Sequence, residues 1–170
     1  MSISGTVKLS VATVDTGSPD FDDATLVDPL TLILTQVFTD GVGADQINYI
    51  WHDRRTLAGS TSETLDLADP ANTLVNYRGE ALNLARVKLL VVRNRSTVNS
   101  IQFGPPISGW IAYINVVGTE LILPPESWHI AVAANAAGWA VTGGTGDRLL
   151  VENLGGTSTD YDIIIGGGLT

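Results

Sequence analysis

The chain has no cysteine, which removes disulfides and thiolate metal centres and fits folding in a reducing compartment. Histidine is nearly missing too, with only His52 and His129, far apart in sequence. Charged residues make up 16% of the chain, against a usual share of about 25%. So little charge is what a surface covered by other subunits needs, and equally what an exposed sheet of Thr, Ser and Asn gives. The net charge of −9 argues against direct nucleic-acid binding, because phosphate contacts need a basic surface. No apolar run approaches the roughly 20 residues that span a bilayer. The opening Met1-Ser2-Ile3-Ser4-Gly5-Thr6 lacks the basic and then apolar stretches of a secretory signal. We therefore expect a soluble chain with no membrane partner.

What is present is strand after strand. A length of 170 residues, 44% of them hydrophobic, fits one domain over 1–170 with its own core. Val7, Leu9 and Val11 alternate with Lys8 and Ser10, the period of two that marks a strand with one wet face. Leu30, Leu32, Leu34 and Phe38 alternate with threonines in the same way. Ile47, Tyr49 and Trp51 form the inner side of a third strand. Gly59-Ser60 then turns the chain into Glu63-Thr64-Leu65-Asp66-Leu67, the best hairpin candidate. Leu82–Val92 begins like an amphipathic helix, but Val87, Val91 and Val92 favour a central strand buried on both faces. Further short strands follow to Ile165, punctuated by Pro105-Pro106 and Pro124-Pro125, which cannot lie inside a central strand. This spacing predicts an all-β fold: a single antiparallel β-sandwich, jelly-roll-like, of roughly ten strands.

Charge is unevenly placed. Seven of the nine bases fall between Arg54 and Arg95, leaving +3 in that window and −12 outside it. Residues 15–29 read as a long acidic loop, with Asp15, Asp20, Asp22, Asp23 and Asp28 and no base. Opposite patches on one chain suit head-to-tail assembly.

Catalytic signals are weak. His52-Asp53 could seed a relay with Ser60 or Ser62, but adjacent strand residues face opposite ways and no nucleophile elbow accompanies them. Two histidines without matched carboxylates make no metal site. Gly143-Gly144-Thr145-Gly146-Asp147 lacks the lysine and helix of a phosphate loop and reads as a hairpin turn. Asp20, Asp22 and Asp23 lack the full spacing of a calcium loop. The expectation is no catalytic, cofactor or metal residues. Trp51 and Trp139 are expected in the core, and Trp110 and Trp128, beside proline turns, at an interface together with Asp20, Asp22 and Asp23.

Several segments carry a resemblance. They are Trp51-His52-Asp53-Arg54-Arg55-Thr56-Leu57, Glu63-Thr64-Leu65-Asp66-Leu67, Ala85-Arg86-Val87-Lys88 and Arg93-Asn94-Arg95-Ser96. Gly138-Trp139-Ala140-Val141-Thr142 with Gly146-Asp147, and the closing Tyr161-Asp162-Ile163-Ile164-Ile165, complete the set. Together they resemble small proteins encoded among the virion structural genes of tailed bacteriophages and prophages, over about positions 5–166. Segments 107–117 and 131–137 depart from that group. The resemblance implies a non-enzymatic capsid decoration (cement) protein, made in the host cytoplasm and bound to the assembled major capsid protein on the capsid surface. Low charge and open sheet edges add the expectation of a homo-oligomer, with a trimer favoured. A receptor- or glycan-binding spike, or a hydrolase of cell-surface polysaccharide, are the competing functions. The first needs exposed tryptophans and the second paired carboxylates in a cleft.

Overall fold

The computed structural model describes residues 3–17, 26–68, 74–106, 109–110, 112–114 and 119–169, with side chains described outside 13–30. Twelve strands occur among them: β1 Gly5–Gly17, β2 Leu26–Asp40, β3 Gln46–Ile47, β4 Tyr49–Leu57, β5 Ser62–Asp66 and β6 Leu84–Asn94. The rest are β7 Ile101–Gly104, β8 Leu121–Leu123, β9 Trp128–Val132, β10 Trp139–Ala140, β11 Arg148–Asn153 and β12 Thr159–Leu169.

The strands form three sheets. One sets β4, β12 and β6 side by side, with β9 and β10 pairing along the remaining edge of β6. The second runs β5-β11-β7-β8, and the third joins β1 to β2, with β3 added in parallel at the end of β2. Alternation explains what is buried. On β12 the side chains of Tyr161, Ile163 and Ile165 point inward, while Asp160, Asp162 and Ile164 point away. The four-stranded sheet answers with Leu65, Ile101, Phe103, Leu149 and Val151, and all eight inward residues belong to one core cluster. Each such side chain contributes about 1.5–3 kcal/mol when fully buried.

β6 is the central strand that its valines predicted, lying between β12 and β9. Its register with β12 slips at Lys88, which falls between the pairs Leu89–Gly166 and Val87–Gly167. The bulge turns the Lys88 ammonium toward the β2–β3 connection, where it donates to the carbonyls of Gly43 and of Gln46 (3.0 Å). Opposite the slip, a Cβ on Gly167 would stand 2.0 Å from the Arg86 carbonyl oxygen. Only glycine fits there.

Three expectations need correction. Ten strands in one sandwich become twelve in three sheets, because β1 and β2 form a separate ribbon rather than joining the packed pair. The Gly59-Ser60 turn is not a hairpin. β4 pairs with β12 and β5 with β11, so the turn carries the chain from one sheet to the other. It is held by Ser60 N–H donating to the Gly155 carbonyl, at the matching β11–β12 crossover. The long loop over 15–29 is shorter than expected: Asp15–Gly17 and Leu26–Pro29 continue the ribbon, with Asp15 opposite Asp28 and Val14 opposite Pro29. Proline is tolerated there because, among the described residues, β2 pairs elsewhere only at Thr39 and Asp40, so that stretch has an outer edge with no strand on it.

Candidate functional site

The five-stranded sheet has one face in the core and one face turned out, and strand register sorts the outward side chains into rows. The first row is Ile50, Gly166, Leu89 and Val132. Phe38 and Ile47, at the base of the ribbon, pack on Leu89 and Val132 there. The second row is His52, Ile164, Val91 and Ile130, and the third is Arg54, Asp162, Arg93 and Trp128. His52, Ile164 and Val91 of the second row and all of the third row line an open pocket of about 400 Å3. Moving along the sheet, the face therefore changes from covered and apolar to open, cationic and aromatic.

Asp162 is the hub of the third row. Arg54 Nε donates to it at 2.8 Å, Arg95 Nη1 at 3.0 Å, and Arg93 Nη1 stands 3.9 Å away. Partial burial pushes the Asp162 carboxyl up, but hydrogen bonds from Arg54 and Arg95 outweigh it and hold the group below the usual carboxylate range. Three guanidiniums against one carboxylate leave the row cationic. Exposed ion pairs add little to the fold, so the cluster matters for what it presents. Arg93 also lies over the Trp128 ring, 4.5 Å from its centroid, a cation–π contact. Trp128 itself is 57% exposed.

Beside this face stands the ribbon. Cross-strand pairs Leu9–Leu34 and Val11–Leu32 share one side of it, while Lys8, Ser10, Ile33 and Thr35 share the other. Leu9, Val11, Leu32, Ile33, Leu34 and Val37 are 39% to 54% exposed, an unusual density of open apolar side chains on one element.

The expected site residues divide. Trp128, a candidate interface residue, is exposed. Trp110 is not, and its assignment to an interface is corrected: it is 1% exposed and part of the core cluster. The turn after Pro105-Pro106 folds back through Gly109 N–H donating to the Pro106 carbonyl (2.8 Å), and Trp110 N–H then bonds the Arg148 carbonyl (2.8 Å). That drives the indole inward, onto Tyr113 and Trp139. Asp20, Asp22 and Asp23 lie outside the described residues.

His52 is exposed on the outer face, whereas Asp53 is engaged by Arg55 at 3.0 Å. Ser60 Oγ donates to the Gly155 carbonyl instead of approaching His52. Asp53 and Asp162 both border the pocket, and each carboxylate is held by an arginine. Among the described residues, no group of three or more His, Asp and Glu stands close enough to hold a metal ion. The Arg54–Asp162–Arg93–Arg95 cluster was missed by sequence reasoning. Its one trace was the basic excess between 54 and 95.

His129 points to the core side of β9, hydrogen-bonded to the Tyr113 hydroxyl and tilted against Phe103 at 5.2 Å. Burial holds its imidazole below the usual pKa. The unfolded chain therefore takes up a proton first as pH falls through about 6.5. Stability is expected to fall over that acid window, by at most about 1.4 kcal/mol per pH unit. Urea midpoints across this range should lose that slope in His129→Gln, and an unchanged slope in the variant would refute the assignment.

Compared with protein-family models, with curated proteins and with solved structures, the chain finds no match.

Proposed function

We propose that this chain is a non-enzymatic virion structural protein, a capsid decoration protein that binds the assembled major capsid protein at the capsid surface and works there as a homo-oligomer, a trimer by preference. The observation that carries the reading is the outward face. A flat sheet surface bearing Trp128, Ile130 and a cationic row is suited to another protein's surface, through aromatic and arginine anchors.

The topology supports it. In chain order, β4 pairs with β12, β5 with β11, β6 with β9 and β7 with β8. Among these eight strands of the two larger sheets, the nesting of first with last and fourth with fifth supports a jelly-roll-like reading, the scheme found in viral capsid and lectin domains. The resemblance to phage virion proteins points the same way, since a fold by itself leaves function open.

The test is to add purified protein to empty capsids of the phage that encodes it. Bound copies should appear on the outer surface by electron microscopy, fewer at high salt, and the coated shells should survive greater heat. Shells that take up no protein at any salt concentration sink the proposal.

One observation favours a second reading. Trp128, open beside Arg93 and Asp162, is the kind of aromatic platform that a glycan-binding head or tail spike presents. Saturable quenching of tryptophan fluorescence by host surface polysaccharide, lost in Trp128→Ala, would favour a receptor role over capsid decoration.

A further inference from the structure

The ribbon and the body do not close on each other. At its base, Val7 and Phe38 pack with Ile47, Leu89 and Val132 in a small second core. Further out, a groove of about 430 Å3 opens, with Val7, Leu9 and Leu34 on one wall and Ile130, Val132 and Ala134 on the other. The body wall is apolar, and on the ribbon wall Thr35 and Gln36 stand beside the apolar side chains, so the lining carries no charge. Among the described residues, β9 bonds only to β6 and β1 bonds only to β2, so their other edges are open. A long two-stranded ribbon with open edges and apolar residues on both sides is an aggregation hazard unless something covers it.

We infer that the groove between the β1–β2 ribbon and β9 receives the ribbon of a second copy of this chain. Two features favour a copy over a foreign partner. The first is shape and polarity. The Leu9–Leu34 and Val11–Leu32 ladder is an uncharged two-stranded slab, and the groove walls are the same kind of surface, so each copy supplies what the other lacks. The second is charge. The far end of the ribbon sets Asp15 opposite Asp28, with no base between them in sequence. The row beyond Ile130 on the body carries Arg54, Arg93 and Arg95 around a single carboxylate. An acidic ribbon end and a cationic row on the same chain match across two copies and fix which way the ribbon lies. Apolar contact then supplies the affinity and charge supplies the register.

The inference rests on the homo-oligomer part of the proposed function and is separable from capsid binding: a chain that self-associates yet ignores capsids keeps the one and loses the other. Sedimentation velocity from low to high micromolar concentration tests it. Wild type should shift to a discrete larger species. Leu9→Asp with Leu34→Asp, on one wall, and Ile130→Asp, on the other, should each remain monomeric. Arg93→Glu should raise the dissociation constant about tenfold or more and flatten its salt dependence. Thermal melts by circular dichroism accompany every variant, and only those that melt like wild type are compared. The inference is overturned if wild type stays monomeric at high micromolar concentration. It is equally overturned if well-folded wall variants assemble unchanged. Wild type that stays monomeric but co-sediments with neutral phosphatidylcholine vesicles would assign the groove to lipid and end the proposal as well.

Discussion

Trp110→Ala is expected to destabilise the protein by about 3–5 kcal/mol, the cost of removing a large aromatic ring from a packed core. The ring stacks on Tyr113 at 5.6 Å and 15°, meets Trp139 edge-on at 6.4 Å, and donates through Nε1 to the Ala140 carbonyl at 2.8 Å. Alanine leaves a cavity and strips Tyr113 of its stacking partner. For a chain of this size each kcal/mol corresponds to roughly 2–4 °C in melting temperature, so the loss is large and easily measured. Trp110→Phe keeps much of the volume and should cost about half as much or less. Chemical denaturation of the three proteins decides the matter. A loss below about 1 kcal/mol for the alanine variant, together with weakened self-association or capsid binding, would return Trp110 to an interface.

The second large effect is expected at Asn94, where β6 ends. Its side chain is fully buried and its amide donates to the carbonyls of Asn99 (2.8 Å), Leu123 (3.1 Å) and Pro124 (2.9 Å). Its Oδ1 accepts from Ser96 N–H at 3.0 Å. One side chain thus ties the turn after β6 to the connection between β8 and β9. Asn94→Leu keeps the volume but orphans those backbone groups, at about 1–3 kcal/mol each where they stay dry. Asn94→Asp is the sharper experiment. Its carboxylate would face three carbonyl oxygens, so burial and repulsion raise its folded pKa above the unfolded value of about 3.9. The folded protein then binds the proton first, and this variant should gain stability relative to wild type as pH falls from 8 toward 5. Wild type shows the opposite trend through His129. An Asn94→Asp variant with the wild-type pH profile would mean that the turn simply opens to water.

Some of this was legible in the sequence. Alternation located the inner faces of β4, β11 and β12, and the valines of β6 were enough to choose strand over helix. Period-two patterning, however, reports that a strand has two different faces and says nothing about its neighbour. Asp162 meets Arg54 across 108 positions, and no local rule pairs them, so the cationic row stayed hidden. Gly59-Ser60 has the chemistry of a hairpin turn, and only the pairing of β4 with β12 and of β5 with β11 shows that it bridges two sheets. The same ambiguity concealed the ribbon. Leu9, Val11, Leu32 and Leu34 alternate as core residues do, yet only the base of the hairpin reaches the body.

The placement of β12 bears on how the protein is made. It lies between β4 and β6, although it follows both in the chain by at least 65 positions. A ribosome releases β4 and β6 long before the strand that joins them, at about 5–20 residues per second. During those seconds the inner faces carrying Trp51, Leu90 and Val92 have no sheet to complete, and closure waits on a long-range pairing of the slow kind. Closure of this sheet therefore waits until β12 has been made, and a chain stalled before β12 exposes unpaired apolar strands instead of a smaller folded unit. Substitutions at Ile163 or Ile165 should accordingly show up in yield and chaperone dependence before they show up in the properties of the molecules that do mature.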